Sequence, residues 1–522
     1  MHFARCLLGL PLVLASLTAT ALADVTLPAV FTDHMVLQRD QPVPVWGWAD
    51  PNEEVTVSFR DQSKTTTADV NGNWSVKLDA LSLGEPGTLR VQGNNELTRS
   101  DVLVGEVWVC SGQSNMQWSV AAALDPDLEA ASANLPNLRL FKTPMVTAES
   151  PQQDVDAEWR VCTPDFVPEF SAVGYFYGRN LHQILDVPVG MIQTAWGGTP
   201  AEAWTSPEAL ARTDSLTPLV EAWDARVESY NPETAELDYQ SALADWEKKV
   251  AEANAAGEQA PRKPRKLADP RTSSHRPSNL YNAMVAPLAG YAIRGAIWYQ
   301  GESNAGRAYQ YRTLMPLMIQ SWREAWKQGE FSFYQVQLAN FRPITDQPGD
   351  SAWAELREAQ MIATEAIPNV GAACITDLGA ALDIHPKDKQ NVAKRLARLA
   401  LVNDYGMSGV VKQGPTYRSI DIQDNKVTVH FETYGQDLVS YYREPLTGFA
   451  IAGDDKQWHW AEATITGPDS VELTCPDVAM PVAVRYNWAD NPQGNLFSNA
   501  YLPAYPFRSD DWDGVTINNV VP

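Results

Sequence analysis

Positive charge is scarce in this chain. Its 522 residues carry 40 Lys and Arg against 64 Asp and Glu, a formal net charge of −24 with His neutral. Such a surface is repelled by phosphate backbones and anionic lipid heads, so nucleic acid and membrane surfaces are poor partners and neutral substrates fit better. Cysteine is scarce as well, at five residues. Cys110, Cys162, Cys374 and Cys475 stand far apart with no C-x-x-C pattern, which disfavours a zinc site and suits either buried small apolar residues or up to two disulfides. Beyond the first two dozen residues no apolar run is long enough for a bilayer, and no fixed-period repeat supports a solenoid.

An apolar fraction of 44% does supply real cores, and the length suggests about three structural units. The start, MHFARCLLGLPLVLASLTATALAD, combines Arg5, an apolar stretch from Leu7 to Leu17 and the small-residue pattern Ala21-Leu22-Ala23. It reads as a signal peptide over residues 1–23, which implies export to a periplasmic or extracellular space. Residues 24–100 show short alternating runs, VPVWGWA, EEVTVSF, WSVKL and GTLRVQG, split by turn clusters, the pattern of a β-sandwich.

Across residues 101–404 apolar strand runs alternate with helical stretches. Strands are expected at Val102–Cys110, LRLFK, VPVGMIQTA, IRGAIWY, FSFYQVQL and VGAACIT, and helices at Ser171–Leu185, PSNLYNAMVAPLAG, Tyr309–Trp326, Trp353–Ala366 and Lys389–Val402. That order predicts a mostly parallel, doubly wound sheet. A helical insertion at about 206–277, rich in Ala, Glu, Lys and Pro, interrupts it and reads more simply as a solvated excursion than as a binding element. Residues 405–522 return to strand periodicity in KVTVHFE, GFAIAG, SVELTC and AVRYNW, a second β unit.

The chemistry-bearing residues cluster at strand ends, where doubly wound sheets open their ligand crevice. VLVGEVWVCSGQSNM places Ser114 in a glycine turn, as a nucleophile or as an ordinary turn serine. The next residue but one is Met116, so this is not the G-x-S-x-G elbow. TAWGGT brings Gly197 and Gly198 to a second strand end, where backbone amides aimed at an oxyanion can each contribute about 3 to 4 kcal/mol. WYQGESN puts Gln300 and Glu302 at a third. Asp383-Ile384-His385-Pro386 then supplies an imidazole beside a carboxylate, the pair a serine hydroxyl needs to become nucleophilic. Of the other histidines, His34 is the one to watch.

Taken together, these blocks resemble the sialate O-acetylesterase family, a branch of the SGNH (GDSL-like) hydrolases. The likeness runs through DHMVLQRDQPVPVWGWA, GEVWVCSGQSNMQW, TAWGGTPAEAW, PSNLYNAMVAPL, IWYQGESNA, DIHPKDKQNVAKRLA and RYNWADNPQGNLFSNAYLPAYPFRSD. It implies a flavodoxin-like three-layer α/β/α core with β-sandwich-like units at both ends, acting as a serine esterase on O-acetylated carbohydrate. By the same likeness Ser114 is the nucleophile, His385 the general base, and Ser114, Gly198 and Gln300 the oxyanion donors. Asp383 is expected to orient His385, although the superfamily places its Asp one residue earlier, where Leu382 stands; Asp377, Glu302 or a carbonyl are alternatives. A serine acyl-enzyme cycle calls for no metal or organic cofactor.

Among 18 Trp, those beside the proposed turns, Trp118, Trp196 and Trp204, are expected to line a sugar cleft with Glu302. Arg307 suits either a substrate carboxylate or a solvated helix face. Sialic acid, xylan and pectin remain open as acetylated substrates. The rival readings are a non-catalytic carbohydrate-binding protein and an SGNH esterase for non-sugar esters.

Overall fold

The apolar runs of the middle of the chain pair into one sheet. Its order is Val370–Ala373, Ser332–Val336, Gly295–Tyr299, Glu96–Gly112, Val189–Ala195, Leu135–Lys142, Trp159–Cys162. Every neighbouring pair is parallel except the last, which is antiparallel. The computed structural model describes residues 24–441 and 444–522, so the expected signal peptide lies outside the described residues.

Both faces of this sheet are covered. Along Val107–Cys110, Val107 and Val109 join one apolar core while Trp108 and Cys110 join the other. The helices Ala308–Trp326 and Ala352–Ala366 close the first, and Ala172–Leu185 and Lys389–Asn403 close the second. Two buried faces explain why these strands read as continuous apolar runs rather than as alternation. Three of the helices begin where a side chain satisfies an orphan amide: Ser171 accepts from Gly174, Ser351 from Ala354 and Asp388 from Asn391.

The strand Glu96–Gly112 is the pivot. From it the chain builds Leu135–Lys142, Trp159–Cys162 and Val189–Ala195 on one side, then crosses to build Gly295–Tyr299, Ser332–Val336 and Val370–Ala373 on the other. Where connections diverge in this way, the carboxyl ends of the strands open a crevice. The same strand is 17 residues long, and its leading half pairs antiparallel with Gly87–Gln92 among the short strands that precede it. It therefore runs unbroken through the change of pattern expected near residue 100. From Thr416 onward antiparallel sheets surround a separate apolar core that includes Val427, Phe449 and Tyr486.

The segment expected as a helix around PSNLYNAMVAPLAG differs: it forms a π turn at Tyr281–Val285 followed by a 3-10 turn at Ala286–Leu288. Pro287 lacks an N–H, and in an α-helix its ring would strike the carbonyl of Ala283, so the ladder changes pitch there. The insertion carries the helices Pro207–Ala211, Thr217–Ser229 and Pro232–Ala256. Cys110, Cys162, Cys374 and Cys475 are all buried and unpaired. Among the described residues no helix is long and apolar enough to cross a membrane.

Candidate active site

The pivot strand ends at Gly112, whose φ of +140° and surroundings require glycine: a Cβ there would lie 2.2 Å from the Tyr299 carbonyl oxygen. Two residues later Ser114 opens a short helical turn, Ser114–Gln117. Its Oγ lies 2.9 Å from Nε2 of His385, delivered by the loop before the helix Lys389–Asn403. The imidazole stacks on Trp118 with ring centroids 4.6 Å apart and planes 14° from parallel, which fixes its tilt. Burial, and after it the Lys389 cation, hold the His385 pKa below its ordinary value against the opposing pull of Asp383. Near neutral pH the ring is therefore an uncharged base.

Asp383 does not make the expected bond to the ring. Its Oδ1 stands 3.6 Å from His385 Nδ1, outside hydrogen-bond reach, and accepts the His385 backbone N–H at 2.9 Å instead. A spacing of two residues suits this local loop contact and leaves the carboxylate to act on the imidazole through its field. Neither alternative carboxylate replaces it. Asp377 is held by both guanidinium nitrogens of Arg395 at 2.5 and 2.6 Å, and Glu302 accepts from Asn115 Nδ2 at 2.6 Å.

Beneath the serine, the side chain of Asn115 bridges two buried ionisable groups. Its Nδ2 donates to Glu302 Oε1 and, at 3.0 Å, to the carbonyl of Ile384, the residue before His385. Its Oδ1 accepts from Lys389 Nζ at 2.5 Å. Lys389 is fully buried, and burial drives its pKa down to about 7 against the attraction of Glu302, Asp383 and Asp388. Burial likewise pushes the Glu302 carboxyl up; its Oε2 is out of solvent and unpartnered among the described residues. Glu302 thus supports the serine turn from below through Asn115. Sequence reasoning missed Asn115 and Lys389, yet a lysine at the first position of a helix, where the macrodipole opposes a cation, was a readable signal.

Two backbone donors beside Ser114 are uncommitted. Gly197 N–H donates to Gln117 Oε1 at 2.7 Å, whereas the N–H groups of Gly198 and Ser114 make no hydrogen bond among the described residues. Gly198 holds φ at +77°. Gln300, expected as a third donor, is wholly buried with its Nε2 committed to Asn304 Oδ1 at 2.7 Å and Thr199 O at 3.2 Å. The longer side chain reaches past the rim and ties strand ends together. Arg307 is likewise internal, paired with Glu202 Oε1 at 2.5 Å, and neither meets solvent nor awaits a carboxylate.

The tryptophans divide. Trp204 is fully buried, donates to Thr199 Oγ1 and packs edge-on against Trp298, so it belongs to the core and not to a cleft. Trp118 backs the imidazole. Trp196 alone of the three is half-buried with a cleft beside it. His34 pairs with Asp101 at 2.6 Å, and Asp101 in turn with Arg139, a structural triad on the amino-terminal side.

Comparison with known proteins finds carbohydrate esterases. A family model described as carbohydrate esterase, sialic acid-specific acetylesterase matches residues 270–401, the stretch that includes His385. A carbohydrate acetylesterase from Xanthomonas citri of known crystal structure is 37% identical, with a TM-score of 0.79 over 94% of this chain and 100% of that one. Sialate O-acetylesterase from Homo sapiens is 28% identical over 91% of this chain and 90% of its own. The Mus musculus enzyme of the same name is also 28% identical, over 95% and 96%.

Proposed function

The chain belongs to the sialate O-acetylesterase family of carbohydrate esterases, and from that premise we propose that it removes O-acetyl groups from sugars through a serine acyl-enzyme. The observation that carries the mechanism is the 2.9 Å contact between Ser114 Oγ and His385 Nε2 at the crevice of the sheet. Ser114 Oγ attacks the acetyl carbonyl carbon while its proton passes to Nε2. The resulting oxyanion is met by the free N–H groups of Ser114 and Gly198. Collapse breaks the bond to the sugar oxygen, which leaves with the proton from His385, and an acetyl-enzyme remains. Water then gives a proton to the same nitrogen and attacks the acyl carbon; collapse breaks the bond to Ser114 Oγ, which takes the proton back from His385, and acetate is released.

The strand order about Glu96–Gly112 supports an SGNH-type core over residues 101–404, with β units at 24–100 and 405–522. The leading segment, with Arg5 and its apolar stretch, supports export after cleavage near Ala23. The test is acetate release by wild type and Ser114→Ala from acetylated xylan, acetylated pectin and O-acetylated sialic acid. Release by wild type alone is expected. Equal release by the two proteins would remove Ser114 from the mechanism, and release by neither would sink the esterase reading.

A further inference from the structure

The turn that carries the nucleophile also carries amide side chains at alternate positions, and each reaches a different loop of the crevice. Gln113 accepts the Ser303 N–H at 3.2 Å, Asn115 donates to the Ile384 carbonyl at 3.0 Å, and Gln117 accepts the Gly197 N–H at 2.7 Å. The first two hold the loop after Gly295–Tyr299 and the loop of His385. The third holds the turn that contains Gly198.

Gln117 is fixed relative to the nucleophile by the backbone. Its N–H donates to the Gln113 carbonyl at 2.9 Å, and the Trp118 N–H donates to the Ser114 carbonyl at 2.8 Å, so residues 114 and 117 are neighbours on one helical turn. Gly197 lies against both of them: a Cβ there would stand 3.0 Å from Gln117 Oε1 and 3.2 Å from the Ser114 Cβ. The flanks of the glycine pair are anchored too. The Trp196 N–H donates to the Gly112 carbonyl at 3.1 Å, and Thr199 Oγ1 donates to the Trp196 carbonyl at 2.7 Å. Between these anchors Gly198 is exposed, with its N–H uncommitted among the described residues. Two successive glycines give this turn unusual freedom to rotate, and the acceptor at Gln117 removes it by fixing the direction of the first amide. The other end of the Gln117 amide competes weakly, since its Nε2 meets the thioether of Met145 at 3.1 Å.

We propose that Gln117 is the positioning residue of the oxyanion site: by engaging the Gly197 N–H it holds the Gly198 N–H ready for the acyl oxygen that gains charge when Ser114 attacks. The proposal rests on the serine esterase reading above. The experiment compares wild type, Gln117→Met, which keeps the length without the amide, and Gln117→Asn, which keeps the amide one methylene short. Each is assayed on acetylated xylan and 4-nitrophenyl acetate, and each is labelled with diethyl 4-nitrophenyl phosphate, which loses 4-nitrophenolate as Ser114 Oγ bonds to phosphorus. In both variants kcat is expected to fall about 30-fold on both esters with KM changed by less than about twofold, because a misaimed oxyanion donor costs less than the ~10²–10³-fold loss of a deleted one. The labelling rate constant should fall with kcat while the final yield of labelled sites stays at the wild-type level, and the acid limb of the pH profile should not move. Loss confined to xylan would make Gln117 a sugar contact, and a lowered yield at an unchanged rate per labelled site would make it a folding residue. Either result, or full activity in both variants, overturns the proposal. Wild type that hydrolyses both esters but is not labelled at Ser114 overturns the serine reading instead.

Discussion

Lys389 makes the reactivity of His385 dependent on a buried neighbour. With its pKa near 7, Lys389 is charged in mild acid and opposes a second charge on the imidazole, adding to the effect of burial. Activity should therefore rise with pH as His385 loses its proton, with a midpoint below the ordinary histidine value of about 6.5. In Lys389→Met the repulsion is gone and the midpoint should move up. Asn115 Oδ1 loses its donor in that variant, and Asn115 also holds Ile384, so kcat should fall about tenfold, the equivalent of about 1.4 kcal/mol. A pH profile of kcat/KM for both proteins decides this, and an unmoved acid limb would count against it. Stability follows the same linkage: the folded pKa of Lys389 lies below its unfolded value, so unfolding takes up a proton between about pH 7 and the usual lysine range. Its cost to folding is full below pH 7 and fades as pH rises above it.

At the scale of elements, the turn after Glu96–Gly112 is the most constrained join. In Gly112→Ala the new methyl meets backbone rather than a movable side chain, so the two central strands must part beside Ser114. A loss of about 2 to 4 kcal/mol is expected by denaturant titration; a loss under about 0.5 kcal/mol would mean that the turn yields freely. The strands and helices flanking this join were legible because their signals are local: apolar runs bounded by turns, and Ser or Asp caps such as Ser351 and Asp388. What escaped depended on distant partners. Gln300 reads as a loop amide until Thr199 and Asn304 claim its donors. Trp204 reads as a cleft aromatic until Trp298 and Trp322 enclose it. The bonding of Asp383 turns on which nitrogen of His385 its oxygen meets, a matter of loop geometry that spacing alone does not fix.

For the molecule as a whole, a net charge of −24 gives no long-range attraction for anionic sugars. The 17-residue strand that links the leading β strands to the central sheet has a further effect. Its two halves belong to different neighbourhoods of hydrogen bonds but to one stiff backbone, which ends two residues before Ser114. Denaturation followed by intrinsic fluorescence and by esterase rate should therefore give one coincident transition. An earlier melting of the leading strands with full activity retained would contradict that. If the leading strands came apart, Glu96–Val102 would lose the ladder that anchors it, and the slack would be passed along the strand to the nucleophile. The nucleophile thus works at the free end of a cantilever clamped in the leading strands, and loosening the clamp disarms the protein without touching the chemistry.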